Sequence, residues 1–198
     1  MKLKRVIVVL IAILICNTAW HMFMPLRYTP EWSAYYRLLD AVDKGDYVAT
    51  AEELGKGTDP NRFPKINEED IAVLCVAADH GDTKMVQLLL DHKADPNITD
   101  GWNYNPLTAA SIHNHLDVMT ILVAHGASIG ESDDWSSALW RASVEGRTPA
   151  VKFLLAHGAN PNMTERIDAS HSVTLLSVVK EFHHSDVAKV LAQAGAKG

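Results

Sequence analysis

The sequence predicts an all-α solenoid: about five helix-turn-helix repeats, each ending in a finger, behind an N-terminal apolar segment. Three observations predict it. Small-residue pairs recur at a nearly fixed period, apolar positions keep the same register inside every period, and the first 24 residues differ in composition from the rest. Gly126-Ala127, Gly158-Ala159 and Gly195-Ala196 each close an apolar run, and Gly57-Thr58 and Lys93-Ala94 fall in step. The second members lie 36, 33, 32 and 37 residues apart. A period near 33 suits one helix-turn-helix unit with a finger.

The N-terminal segment comes first in the chain. Residues 1–24 hold three bases (Lys2, Lys4 and Arg5) and no acid. Eleven apolar residues follow, Val6 to Cys16, and apolar character resumes to Met24. A basic start before such a run reads as an export signal or a membrane anchor. Val6 to Met24 makes 19 residues, close to the roughly 20 that span a bilayer as a helix. Asn17 and Ile15 make poor neighbours for cleavage at Ala19 or Cys16, so an uncleaved single-pass anchor is expected, with cleavage to a free periplasmic form as the alternative. The bases precede the span, which keeps the N-terminus cytoplasmic and sends the remainder across. A linker, 25–32, leads to the repeat domain, 33–198.

The repeats fall at approximately 33–66, 67–99, 100–131, 132–168 and 169–198. Leu38, Leu74, Leu107, Leu139 and Leu176 share one register; Ala41, Ala77, Ala110, Ala142 and Val179 share the next, three residues on. That spacing puts both on one helical face. Gly45, Gly81, Asn114, Gly146 and His183 mark the turn between helices, where glycine or asparagine accepts positive φ. The second helix places Glu53, Leu89, Leu122, Leu154 and Leu191 in one register. Length variation is confined to the joints, and Asn61–Asp70 and Met163–Val173 read as extended fingers or loops.

These residues resemble the ankyrin repeat. The motif is carried by Pro106-Leu107-Thr108-Ala109-Ala110, by Leu88-Leu89-Leu90, and by Phe153-Leu154-Leu155-Ala156-His157-Gly158-Ala159-Asn160-Pro161-Asn162. The family's first-helix histidine is replaced throughout, by Leu39, Cys75, Thr108, Trp140 and Ser177. The first and last copies are degenerate, as terminal capping repeats are. The resemblance implies a protein-protein interaction module without catalytic activity.

Composition agrees. With the three leading bases set aside, the chain holds 15 bases against 24 acids, net −9. That is no footprint for nucleic acid. Two cysteines, Cys16 and Cys75, exclude a disulfide scaffold or a four-cysteine zinc module. The ten histidines match no zinc-binding spacing; His125 and His157 precede the capping glycines and His115 follows its turn, so these are read as capping and surface residues. Cys75 reads as a small packed residue. No enzyme activity, metal or cofactor is expected. Asn97-Ile98-Thr99 and Asn162-Met163-Thr164 have the form of glycosylation sites, but in this repeat they are turn asparagines.

The resemblance implies that binding uses the finger tips and the exposed ends of the first helices. On this chain those are Asp100, Trp102, Tyr104, Asp133, Asp134 and Trp135 in fingers, and the pairs Asp79-His80, Ile112-His113 and Val144-Glu145. Tryptophan and tyrosine are enriched at binding hot spots. The acids among them call for a partner with a basic patch. Small exported bacterial ankyrin proteins suggest two roles: immunity against a periplasmic toxin, or envelope support of an oxidative-stress enzyme.

Overall fold

The computed structural model describes residues 33–62, 72–99, 104–130, 137–166 and 172–197. Among these, ten helices alternate; after an 11-residue start, first helices of 7 residues alternate with second helices of 9. The first helices are α1 (Ser33–Asp43), α3 (Val73–Asp79), α5 (Pro106–Ile112), α7 (Ala138–Val144) and α9 (Leu175–Glu181). The second helices are α2 (Tyr47–Gly55), α4 (Thr83–Asp91), α6 (Leu116–Ala124), α8 (Thr148–Ala156) and α10 (Ser185–Gln193). Tyr35–Gly198 forms one compact unit. Among the described residues no helix is long and apolar enough to cross a membrane; the expected anchor at 6–24 lies outside them.

The registers read from the sequence are the core. Leu38, Leu74, Leu107, Leu139 and Leu176 are buried, as are Ala41, Ala77, Ala110, Ala142 and Val179. First helices α3, α5, α7 and α9 pack in one row, and second helices α2, α4, α6, α8 and α10 pack in another. No helix here exceeds 11 residues, and helices this short are marginal alone. Stability therefore comes from stacking each apolar face on its neighbours.

Both helix ends are closed by a repeated backbone device. After each first helix, the N–H of Asp46, Asp82, His115, Arg147 or His184 returns to the carbonyl of Ala41, Ala77, Ala110, Ala142 or Val179. After each second helix, the N–H of Thr58, Ala94, Ala127, Ala159 or Ala196 returns to the carbonyl of Glu53, Leu89, Leu122, Leu154 or Leu191. These closures need a left-handed residue just before the returning N–H. Glycine supplies it at most positions, while Lys93 (φ 67°), Asn114 (φ 60°) and His183 (φ 60°) are held there without being glycine.

The fold departs from an all-α plan at one joint. Within the expected extended finger Met163–Val173, strands β1 (Thr164–Arg166) and β2 (Ser172–Thr174) pair antiparallel, with Thr164 opposite Thr174. The first copy departs differently. Glu53 takes the place that leucine fills in the other four, yet only 6% of it is exposed. Its Oε1 accepts from Arg37 Nε at 3.2 Å and Lys56 Nζ at 2.8 Å. Those hydrogen bonds, Lys56 first, hold the carboxyl below its usual range.

Candidate functional site

The ends of the first helices form a turn edge, where consecutive repeats are tied by side chains. The residue after each turn faces the preceding copy. His115 Nε2 lies 3.0 Å from the Asp79 carbonyl, Arg147 Nε donates to the Ile112 carbonyl at 2.6 Å, and His184 Nε2 lies 2.8 Å from the Val144 carbonyl. A carbonyl only accepts, so both imidazoles carry their proton on Nε2. The rings of His115 and His184 also lie on the turn glycines before them. A Cβ on Gly81 would fall 2.6 Å from the His115 ring, and one on Gly146 would fall 2.7 Å from the His184 ring. These glycines are thus required both by φ and by the ring.

The first joint solves the contact differently. Asp82 has no proton to donate, and instead accepts from Tyr47 Oη at 2.8 Å. At the third joint the turn residue is Asn114, and its Oδ1 accepts the Ala150 N–H at 3.0 Å. Asp46 and Asp82 cap their own helices, whereas Arg147 provides no cap for α8. Asn114 fills that role from the preceding repeat.

Of the sequence-predicted residues, the structure brings Asp79, Tyr104 and His113 together. Asp79 Oδ1 accepts from Tyr104 Oη at 3.2 Å and pairs with His113 Nε2 at 3.1 Å. Burial, and then the charge of Asp79, push the Tyr104 phenol far above its usual range. Tyr104 therefore ties its finger to α3 as much as it faces outward. His80 turns the other way, with Nε2 3.6 Å from Asp43. Ile112 and Val144 are half-buried and contribute their carbonyls to the joints; Glu145 is exposed, 4.0 Å from Arg147. Asp100, Trp102, Asp133, Asp134 and Trp135 lie outside the described residues.

Sequence reasoning missed Phe182. It is half exposed, one of three large apolar side chains so exposed among the described residues. It shares the register of His80, His113 and Glu145, so the period itself was the signal. Its ring lies parallel to that of His184, with centroids 6.4 Å apart. The histidines read as surface residues include two, His115 and His184, that join repeats. Cys75 is buried, its Sγ 3.7 Å from the Tyr104 carbonyl. Among the described residues no three His, Cys, Asp or Glu side chains gather as a metal would need.

The opposite, finger edge has its own ties. Asn61 Nδ2 donates to the Lys93 carbonyl at 2.9 Å and its Oδ1 accepts from Asp95 N at 2.7 Å. Asn97 repeats this on Gly126 O at 3.0 Å and Ser128 N at 2.8 Å. Asn162 Oδ1 accepts from Lys197 N at 2.9 Å. The asparagines of both glycosylation-like triplets are thus engaged inside the stack. The equivalent residue of the third copy is Gly130.

Comparison with known proteins gives the same picture. The family model for ankyrin repeats (3 copies) matches residues 38–133 and 74–165. The chain is 26% identical over 127 residues to a putative ankyrin repeat protein of Fowlpox virus, covering 64% of this chain and 17% of that protein. It is 31% identical over 134 residues to the B-cell lymphoma 3 protein homolog of Mus musculus, covering 67% and 29%. It is 30% identical over 99 residues to cyclin-dependent kinase 4 inhibitor B of Bos taurus, covering 50% and 72%. The viral and mouse relatives are thus matched over less than a third of their own length. With the stacked helix pairs, the closed turns and this match, the chain belongs to the ankyrin-repeat family, whose members serve as protein-protein interaction modules.

Proposed function

We propose that this chain is a non-catalytic binding module of the bacterial envelope, anchored by residues 6–24 in the inner membrane with its repeats in the periplasm, where it serves as an immunity protein against a delivered toxin. The observation that carries the binding role is the row His80, His113, Glu145 and Phe182. These occupy one register on four successive repeats, and all are exposed. Their backbones are fixed by the turn closures and, in the later copies, by the bonds from Arg147 and His184. The side chains are thus presented on a rigid edge, which lowers the entropy lost on binding. Trp102, Tyr104 and Trp135 from the fingers, with Asp100, Asp133 and Asp134, would extend that edge toward a basic partner.

The order of bases and apolar residues at the N-terminus supports the location. A relative named as a kinase inhibitor, in Bos taurus, supports the idea of a stack that acts by occupying another protein. The test is competition between cells. A strain lacking the gene should lose to its parent in dense co-culture, and be rescued by the full chain but not by residues 25–198 alone. Equal competition would remove the immunity role. A reporter fused after Gly198 that is active only in the cytoplasm would remove the location.

A further inference from the structure

The turn edge changes character halfway along the stack. Two registers run side by side at the ends of the first helices. Asp43, Asp79, Ile112, Val144 and Glu181 hold one, and Lys44, His80, His113, Glu145 and Phe182 hold the next. In the first half they answer one another across the joints: His80 Nε2 lies 3.6 Å from Asp43 Oδ1, and His113 Nε2 lies 3.1 Å from Asp79 Oδ1. In the second half the acid of the preceding repeat gives way to Ile112 and then Val144, both half-buried. Glu145 and Phe182 thus face apolar residues where the two histidines face carboxylates. Arg147 comes only to 4.0 Å from Glu145, and its Nε is committed to the Ile112 carbonyl at 2.6 Å. Phe182 is 50% exposed, yet its backbone is fixed. Its N–H returns to the Val178 carbonyl at 3.1 Å, and that of His184 closes on the Val179 carbonyl at 3.2 Å. The His184 ring parallel to it is tied to the Val144 carbonyl at 2.8 Å.

From this division we infer that the partner meets the second half of the edge with an arginine-bearing protein segment, whose guanidinium stacks on Phe182 beside the carboxylates of Glu145 and Glu181 while an adjoining aliphatic side chain covers Ile112 and Val144. The inference rests on the binding role proposed for this edge and narrows it to two repeats. The face of an aromatic ring attracts a cation. Glu145 and Glu181 are both exposed, and their charge complements the same cation. A guanidinium is planar, so it meets a ring and a carboxylate together, which a lysine ammonium does less well. The same acids repel phosphate, which disfavours nucleic acid or an anionic lipid as the occupant. A rigidly held, half-exposed aromatic is the kind of residue that concentrates binding energy. His80 and His113, already engaged with acids of their own chain, contribute little.

The experiment pans a phage-displayed library of random dodecapeptides on the full chain in detergent micelles, with empty micelles subtracted. Enriched peptides should carry an arginine beside an aliphatic residue. The most enriched one is then titrated, alongside its Arg→Lys version, against wild type and variants. Phe182→Leu keeps apolar bulk without the ring; it should weaken binding about fivefold and abolish the preference for arginine over lysine. Phe182→Tyr keeps the ring and should bind as wild type does, which separates loss of the ring from loss of the fold. Glu145→Gln should weaken binding and flatten its salt dependence. His80→Ala should change nothing. The inference is overturned by a library that yields no enriched peptide, by equal affinity for the arginine and lysine versions, by a loss in Phe182→Tyr equal to that in Phe182→Leu, or by an equal loss in His80→Ala. Sedimentation in the same detergent tests a second copy of this chain as the occupant: a dimer that Phe182→Leu dissolves overturns the arginine partner. Peptide binding and cell competition are separate readouts, so the failure of either leaves the result of the other standing.

Discussion

Asn114 caps a helix that is not its own: its Oδ1 accepts the N–H of Ala150, 36 residues on, at 3.0 Å. The same residue holds φ at 60° to close its own turn. One side chain thus ends a first helix in the third repeat and starts a second helix in the fourth. Asn114→Gly should keep the turn and lose only the cap, and Asn114→Ala should lose the cap and strain the turn. A lost cap costs about 1 kcal/mol. Urea titration should rank wild type above Asn114→Gly, and Asn114→Gly above Asn114→Ala.

Lys93 pays the opposite penalty. It sits at φ 67° where all four other copies carry glycine, and its side chain is exposed. A left-handed L-residue costs roughly 1–2 kcal/mol over its usual conformation, offset in part by the greater freedom of unfolded glycine. Lys93→Gly should stabilise the protein by about 0.5–1 kcal/mol, read as a higher denaturation midpoint. A lower midpoint would show that the lysine makes a contact worth more than the strain.

Leu122 and Leu191 occupy one register and both are fully buried. Truncating a buried leucine to alanine costs about 2–5 kcal/mol. Leu122→Ala should show that full cost, because the third repeat has neighbours on both sides. Leu191→Ala should show less, because the last repeat can detach alone and cap the loss. Equal losses in calorimetry would contradict a one-dimensional stack.

Glu53 gives a pH dependence with a fixed sign. Its carboxyl is held below the ordinary value of 4.5 by bonds from Lys56 and Arg37. A lowered folded pKa adds stability above the unfolded pKa, and that stability is lost as pH falls through the folded value. Wild type should exceed Glu53→Gln in stability at pH 7, and the gap should shrink as pH is taken below 4.5. A gap that stays constant would mean that the charge of Glu53 contributes nothing.

Much of the fold was legible because the repeat prints each structural requirement five times. A leucine or alanine at one register is weak evidence; the same residue at five registers identifies a buried face. The positive-φ turns followed in the same way, and Asn114 and His183 were found by position despite not being glycine. Contacts between repeats were less legible. His115 and His184 look like surface histidines because their acceptors, Asp79 and Val144, are 36 and 40 residues away and meet them only through stacking. Tyr104 looked like a free finger tip for the same reason, since Asp79 belongs to the preceding copy. Phe182 was legible but hidden in a degenerate copy, where the motif around it had faded.

The matched pairs across the joints also bear on how such a chain can change by recombination. Gly81 is seated under His115, Asn114 is joined to the helix of Arg147, and Gly146 is seated under His184. Excising residues 82–114 would remove one whole period and leave the leucine and alanine registers unbroken. The shortened product would nevertheless set Arg147 against Gly81 and leave Ala150 without its cap. The units are therefore not interchangeable bricks. A viable deletion or duplication must carry each turn together with the side chain that covers it, so the unit of inheritance here is the seam between repeats rather than the repeat.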